Sequence, residues 1–442
     1  MTPARIVRTY LLITGLFNFA ASLIWGVDTL FKLHAGLDIF QVMLTNAAFT
    51  FGMVVFEIPT GVVADTLGRR VSFILCVVTL LVSTLLYVAT AWFHWGFWPF
   101  MGTSVLLGLG YTFYTGAVDA WLVDALKATG FVQPMEGVFA KGQMMFGAAM
   151  LAGTLGGGLL GQIDLAVPYL VRSATFLPLL GVAWFAMQEI GFTPRTLEWR
   201  RVPVELRRVF VEGLDYGLHH RVVRPVMLAS LVGMSFMIFG FYSWQRYFLD
   251  LLGRDLVWVS GLIAALLSLA MILGNALVRP LSRFVRTRTG LLAGSAGVQV
   301  VTVVLCGLLG AGVTSGAAGG GAAIHGVPAR FLVVVALYLV YGIALGTMGP
   351  VKQGYLNAHI PSAQRATIIS LDALFADAGG VVGQSGWGYL AKVRSIGEAW
   401  MYSGATLLLG VPLYWAARRN DRQLDSFSDN HSDAQAQSGS QS

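Results

Sequence analysis

Long apolar runs separated by short polar segments fill most of the chain. A helix needs roughly 20 predominantly apolar residues to cross a lipid bilayer, and twelve runs reach about that length. The predicted spans are residues 8–31, 40–62, 71–92, 98–123, 138–161, 167–188, 224–249, 256–278, 289–311, 329–354, 365–390 and 397–417. The pattern therefore predicts an all-α membrane protein with twelve transmembrane helices.

Three segments interrupt this regular spacing. The central one is basic and polar, and its apolar positions at helical spacing over 203–218 predict an amphipathic helix along the membrane face. Residues 310–328 are rich in Gly and Ala and predict a flexible loop. The predicted domains are a six-helix bundle over 1–190, a cytoplasmic linker over 191–223, a second six-helix bundle over 224–418 and a disordered tail over 419–442.

A short glycine motif occurs once in each predicted bundle. Residues 157–162 and 379–384 both read GGxxGQ, and residues 61–70 align loosely with 274–283. Glycine pairs are common in membrane helices because small residues let helices approach closely, which is the simpler explanation of the motif alone. Together with the order of six spans, linker and six spans, the matches favour duplicated halves, a transporter design.

Charged residues make up only 12% of the chain and hydrophobic residues 56%. Soluble domains carry about 25% charged residues, so this composition excludes a soluble enzyme. The two cysteines each lie in an apolar run, which excludes a disulfide framework and a zinc site. No catalytic residue, metal ligand or cofactor is predicted.

Lys and Arg outnumber Asp and Glu by 29 to 22, a formal net charge of +7. Most of the basic residues fall near the two termini and in the even-numbered connections, as expected for cytoplasmic segments. The basic residues assigned to the opposite side are Lys32, Arg172, Arg246, Arg254, Arg330, Lys392 and Arg394. We therefore expect both termini in the cytoplasm and no nucleic-acid partner.

The connection after the second span reads GxxxDxxGRR, from Gly61 to Arg70. This motif resembles the signature loop of the major facilitator superfamily, and the resemblance extends over residues 8–417 through span count and linker. Residues 56–61, 115–124 and 356–367 are similar to prokaryotic drug or metabolite exporters. The resemblance implies two six-helix bundles that alternate between inward and outward access.

The resemblance also implies a conformational gate on the cytoplasmic side. Asp65 is expected at the positive N-terminal end of the eleventh span, and Arg69 or Arg70 is expected to pair with Asp124. The alternative is a positive-inside anchor with helix caps. In the second half, Val278 replaces the acid. The predicted gate residues are Gly61, Asp65, Gly68, Arg69, Arg70 and Asp124.

Acidic residues within predicted spans are candidates for proton coupling, because ionisable groups are costly at membrane depth. The candidates are Asp377, Asp119, Asp28 and Asp372. Asp377 could instead brace the bundle, and Asp119 could be a structural partner of Lys127. For Asp28, an outer latch with Arg246 competes with a local pair between Arg246 and Asp250, which we rank higher.

Polar and aromatic residues on the first, fourth, seventh and tenth spans are candidates for solute binding, since the resemblance implies that these helices line the pathway. Such side chains suit a bulky, partly apolar or cationic ligand, although most aromatic residues in membrane helices only pack. The candidates are Asn18, Trp25, Tyr111, Tyr114, Tyr242, Trp244, Gln245 and Tyr341.

We therefore predict a monomeric, multi-pass transporter of the inner (plasma) membrane, with a small-molecule substrate, protons and the lipid bilayer as its partners. Proton-coupled efflux of a drug or metabolite is the preferred interpretation. Proton-coupled nutrient uptake and a non-transporting receptor or scaffold with the same fold stay open. The lack of an arginine near the middle of the predicted spans disfavours uptake of organic anions.

Overall fold

A computed structural model describes residues 1–114, 117–131, 135–192, 219–221, 223–253, 256–311, 323–324, 327–359 and 365–420. The predicted amphipathic helix over 203–218, most of the loop over 310–328 and the tail from residue 421 lie outside these residues. The first helices are α1 Pro3–Ser22, α2 Asp28–His34, α3 Ile39–Leu67, α4 Arg69–Trp92, α5 Phe97–Thr112, α6 Ala117–Ala128, α7 Glu136–Ile163 and α8 Val167–Phe185. The remaining helices are α9 Val223–Leu252, α10 Val257–Phe284, α11 Arg288–Gly310, α12 Ala329–His359, α13 Arg365–Val393, α14 Ile396–Thr406 and α15 Gly410–Asn420.

Two short elements complete the described structure. Strands β1, Ala323–Ile324, and β2, Val327–Pro328, form an antiparallel pair before α12. A 3-10 turn over Leu407–Leu409 joins α14 to α15.

Every predicted span overlaps helical structure, but three of them are broken. The first span divides into α1 and α2, the fourth into α5 and α6, and the last into α14 and α15. Among the described residues, eight helices are long and apolar enough to cross a membrane, namely α3, α4 and α7 to α12. The described structure is thus mostly helical and typical of a membrane protein. The prediction of twelve uninterrupted spans is not confirmed.

The break between α1 and α2 is stabilised by one distant side chain. Broken helices leave backbone groups without intrahelical partners, and lipid cannot supply them. The Gln245 side-chain oxygen accepts a hydrogen bond from the Thr29 backbone N–H at 2.9 Å, and its amide nitrogen donates to the Trp25 carbonyl at 2.5 Å. The break between α5 and α6 has a smaller counterpart, in which the Ser72 hydroxyl donates to the Phe113 carbonyl at 3.0 Å.

The chain divides into two compact units. The first unit contains Met1–Leu206, Tyr242–Leu249 and Arg254–Ala265. The second unit contains Arg207–Phe241, Asp250–Gly253 and Leu266–Ser442. The later part of α9 and the first part of α10 therefore group with the first unit, although they follow the linker in sequence.

The two copies of the GGxxGQ motif have the same packing role, each within its own unit. In the first unit, a Cβ atom on Gly157 of α7 would overlap the Leu23 carbonyl oxygen at the end of α1. In the second unit, a Cβ atom on Gly379 of α13 would overlap the Leu231 carbonyl oxygen of α9. Only glycine permits these approaches of helix to backbone.

Candidate functional site

A buried ion pair lies on α2 in the first unit. The Lys32 ammonium donates to Asp28 Oδ2 at 2.6 Å, and Lys32 is only 1% exposed. The same ammonium donates to Asn46 Oδ1, and Asp28 Oδ1 accepts from the Tyr169 hydroxyl at 2.8 Å. Each charged group therefore has its ionic partner and a further hydrogen bond, which a buried pair needs to offset its desolvation.

The break after α1 places this pair. Because the helix restarts at Asp28, the carboxylate sits in the first turn of α2, where the positive end of the helix dipole favours it. Lys32 follows one turn later on the same face. The rings of Tyr87 and Tyr242 lie 5.6 and 5.9 Å from the ammonium, measured to their centroids. These rings add cation–π attraction to the ammonium.

Tyr242 and Gln245 hold the start of α2 from the side of α9. The Thr29 hydroxyl donates to the Tyr242 carbonyl at 2.5 Å, beside the two hydrogen bonds that Gln245 makes across the break. Sequence reasoning expected Tyr242, Gln245 and Trp25 to bind solute. The structure brings all three to the break before α2, where the Tyr242 ring lies against Lys32 and Trp25 contributes its backbone carbonyl.

A second buried cation in the first unit is Arg172 of α8, which is 0% exposed. Its Nη2 lies 3.4 Å from the Tyr111 hydroxyl, and its guanidinium carbon lies 5.8 and 5.3 Å from the ring centroids of Tyr111 and Phe176. Among the described residues, its Nε and Nη1 have no hydrogen-bond partner. Arg172 is thus a buried arginine within the sixth predicted span, five residues from its start.

The structure shows that Lys32 and Arg172 are buried, which the sorting of charges by sequence position did not consider. That sorting assigned them to the outer connections, yet both side chains are buried. A usable signal was present for each. Lys32 follows Asp28 at the i,i+4 spacing of a helical ion pair, and Arg172 lies five residues inside the predicted sixth span.

The remaining aromatic candidates divide between the two units. In the first unit, Tyr114 stacks on Phe17 with ring centroids 3.7 Å apart, and Tyr111 meets the same ring edge-on at 5.9 Å. In the second unit, Tyr341 is 4% exposed and stacks with Tyr338 at 5.8 Å. Tyr111 and Tyr114 thus meet at the ring of Phe17, and Tyr111 also contacts Arg172.

Two further solute candidates lie in helix interiors. The Asn18 side chain donates to the Thr14 carbonyl at 2.8 Å, within α1. Trp244 is 2% exposed, and its ring nitrogen has no hydrogen-bond partner among the described residues.

The other acidic candidates differ in environment. Asp119 of α6 is exposed and accepts from the Tyr10 hydroxyl at 3.1 Å. Asp372 of α13 is 6% exposed and binds the Lys352 ammonium at 2.7 Å. The Ser230 hydroxyl donates to the other oxygen of Asp372 at 2.7 Å. Asp377 is half-buried further along α13.

The predicted gate loop has a different partner from the one expected. Gly68 has φ +105°, and the loop presents the first two backbone N–H groups of α4, from Arg69 and Arg70, to the Glu189 carboxylate at 3.2 and 2.8 Å. Arg69 pairs with Asp65 at 2.8 Å, and among the described residues neither arginine forms an ion pair with Asp124. Glu189 is a residue that sequence reasoning missed, because 120 positions separate it from Arg69.

The other predicted gate residues, Arg70 and Gly61, and the expected partner of Asp65 are placed as follows. Arg70 donates to the Trp184 carbonyl at 2.6 Å and stacks against its ring. Gly61 has open space where a side chain would extend. The expected partner of Asp65, the start of the eleventh span, falls partly on residues 361–364, outside the described part of the chain.

A family model of the Major Facilitator Superfamily matches residues 10–306. The chain belongs to the Major Facilitator Superfamily. Among curated proteins, none matches the sequence. Membership identifies the chain as a multi-pass membrane transporter of a small-molecule substrate, not an enzyme.

Solved structures of the Major Facilitator Superfamily share the fold at low sequence identity. The nucleoside transporter NupG has a TM-score of 0.73 at 11% identity, over 93% of this chain and 98% of that one. The D-xylose-proton symporter has a TM-score of 0.66 at 13% identity, over 94% and 98%. The peptide transporter POT in complex with sulfate has a TM-score of 0.67 at 15% identity, over 96% of each chain. These likenesses establish the fold alone.

Proposed function

We propose that this transporter exports a small organic solute across the plasma membrane in exchange for protons, and that Asp28 is the residue that carries the proton. The observation that supports the proposal is the buried pair of Asp28 and Lys32, with Tyr169 and Asn46 completing it. A carboxylate at membrane depth is a functional candidate by default.

The surroundings of Asp28 give its protonation a structural consequence. Proton uptake removes the charge that attracts Lys32, while Asn46 and the rings of Tyr87 and Tyr242 continue to hold the ammonium. The carboxyl group then contributes less to the start of α2, which Gln245 and Tyr242 bind from α9. A change of charge on Asp28 therefore acts on the contact between α2 and α9 within the first unit.

Asp372 with Lys352 is the rival site of coupling. It is also a buried acid paired with a cation, and it joins three helices of the second unit, α9, α12 and α13. The Lys352 side chain is 26% exposed, so its ammonium keeps part of its hydration when the pair opens. This hydration makes the pair less dependent on its charge state than the pair on α2.

The test uses purified protein in liposomes that contain a pH-sensitive dye, with a proton gradient and a panel of amine, acid and neutral aromatic solutes. For the wild type, we expect at least one solute to drive proton movement across the liposome membrane. Asp28→Asn is expected to reduce this coupled movement at least tenfold, because asparagine cannot exchange a proton. Asp164→Asn, which alters an exposed carboxylate and keeps the side-chain oxygen that accepts from the Ala166 N–H, is the matched control and should keep most of it.

Two outcomes would contradict the proposal. Full coupling in Asp28→Asn together with its loss in Asp372→Asn would assign the proton to the second unit. Failure of every solute to move under either direction of the gradient would favour a receptor or scaffold. Solute uptake driven by the inward proton gradient would reverse the direction but leave the role of Asp28 intact.

A further inference from the structure

Arg172 has no use in the proton step proposed above, although its guanidinium is fully buried. A buried charge is normally paired, because removing it from water is costly. Lys32 has Asp28 as its ionic partner, and both oxygens of that carboxylate are already bound, by Lys32 and Tyr169. The described part of the first unit therefore presents one buried positive charge, Arg172, without a protein counter-charge.

The contacts that Arg172 makes leave two of its three nitrogens without a hydrogen-bond acceptor among the described residues. The rings of Tyr111 and Phe176 attract the charge through their π faces. A ring face does not replace an acceptor for the N–H groups, and Nε and Nη1 have no acceptor among the described residues. The single hydrogen bond from Nη2 to Tyr111 is long, at 3.4 Å. The guanidinium is thus held in place by aromatic rings with two donor nitrogens unused.

We propose that Arg172 binds a monovalent anion, and that this anion is the carboxylate of the transported solute. Guanidinium groups bind carboxylates through charge-assisted hydrogen bonds. Tyr111 accepts from Nη2, so its own O–H is available as a further donor to the anion. The inference rests on the proposed function, since it names the chemical class of the solute.

The apolar surroundings favour an aromatic acid over a small aliphatic one. Tyr111 packs edge-on against Phe17 at 5.9 Å and against Phe49 at 5.5 Å, and Tyr114 stacks on Phe17. A flat apolar body that displaces one of these ring contacts can stack on Tyr111 while its carboxylate meets Arg172. An inorganic anion would pair with the guanidinium but would not stack on the rings. An aromatic carboxylate should therefore bind more tightly than an inorganic anion, and a binding experiment can distinguish them.

The test measures binding to the full-length protein in lipid nanodiscs, without a gradient, by the shift in thermal unfolding. The probes are sodium benzoate, its neutral isostere benzamide, sodium chloride and sodium gluconate. We expect benzoate to stabilise the wild type and benzamide to have at least tenfold weaker binding. Arg172→Gln should weaken benzoate binding at least tenfold, and Tyr111→Phe by a smaller factor.

Controls separate this result from misfolding and from failure of proton coupling. Arg394→Gln removes an exposed arginine and should bind benzoate like the wild type. Arg172→Lys keeps the charge if Arg172→Gln fails to fold, and should retain part of the binding. Stabilisation by chloride equal to that by benzoate would assign the anion to an inorganic ion. Equal binding of benzoate and benzamide, or unchanged binding in Arg172→Gln, would overturn the proposal, whatever Asp28→Asn does to proton movement.

Discussion

The two buried pairs of an aspartate and a lysine differ in how the fold holds them. Asp28 and Lys32 lie one turn apart on a single short helix, where the Lys32 side chain is 2% exposed and the Asp28 side chain 13%. Asp372 and Lys352 come from different helices, and the Lys352 side chain is 26% exposed. Lys32 thus depends on protein groups for nearly all of its solvation, whereas Lys352 keeps access to water. The same two residue types thus form a pair within one helix in the first unit and a pair between two helices in the second.

Substitution of each lysine should have the largest effect on the free energy of unfolding, and it tests directly whether the two ion pairs differ. Lys32→Met leaves Asp28 buried without a cation and should lower the free energy of unfolding by about 3–5 kcal/mol. Lys352→Met leaves Asp372 with Ser230 and partial access to water, and should cost about 1–3 kcal/mol. Unfolding in mixed detergent micelles would measure both.

The double variant Asp28→Asn with Lys32→Met serves as the control, because it removes both charges. It should recover much of the loss seen in Lys32→Met. Equal losses in the two lysine variants, or no recovery in the double variant, would show that the two pairs are solvated alike.

The repeated GGxxGQ motif provides a second comparison between the units. Here the same substitution in either unit should cause the same loss of stability. Gly157→Ala and Gly379→Ala each force a helix away from a carbonyl oxygen and should cost roughly 1–3 kcal/mol. Gly147 on α7 and Gly386 on α13 have open space around them and provide matched controls. Alanine at either control position should stabilise by about 0.5–1 kcal/mol. A large difference between the two motif variants would argue against equivalent halves.

The smallest expected effect concerns the N-termini of α4 and α11. Glu189→Gln removes the charge that binds the N-terminal backbone of α4, and should cost about 0.3–1 kcal/mol, less in high salt. In the second unit, the Thr287 side chain caps α11 by accepting from the Gly290 N–H at 3.3 Å. Thr287→Ala should cost about 1 kcal/mol with no salt dependence. The same salt response in both variants would contradict the electrostatic role of Glu189.

Hydrophobic patterning predicted where the helices lie, because the length of an apolar run is a local property of the chain. The breaks in three spans could not be predicted this way. The break before α2 depends on Gln245, which is 216 positions from Thr29, and the break after α5 depends on Ser72. Such long-range hydrogen bonds leave no mark on local periodicity.

The candidate site was predictable only in part. Asp28, Tyr111, Tyr242 and Gln245 could be selected as polar groups within apolar runs. The burial of Lys32 and Arg172 was not predicted, because the positive-inside rule sorts basic residues by their position near span ends and does not consider which way a side chain points. Whether the selected residues bind solute or carry protons stays a prediction.

The hydrogen bonds of Gln245 also have a consequence for biogenesis. The chain is synthesised from its N-terminus, so α1 and α2 enter the membrane before Gln245 has been made. Until α9 arrives, the backbone groups of Thr29 and Trp25 lack the partner that they have in the folded protein. The first helices to insert are thus completed only when the second half of the polypeptide follows, which couples assembly of the early helices to synthesis of the late ones.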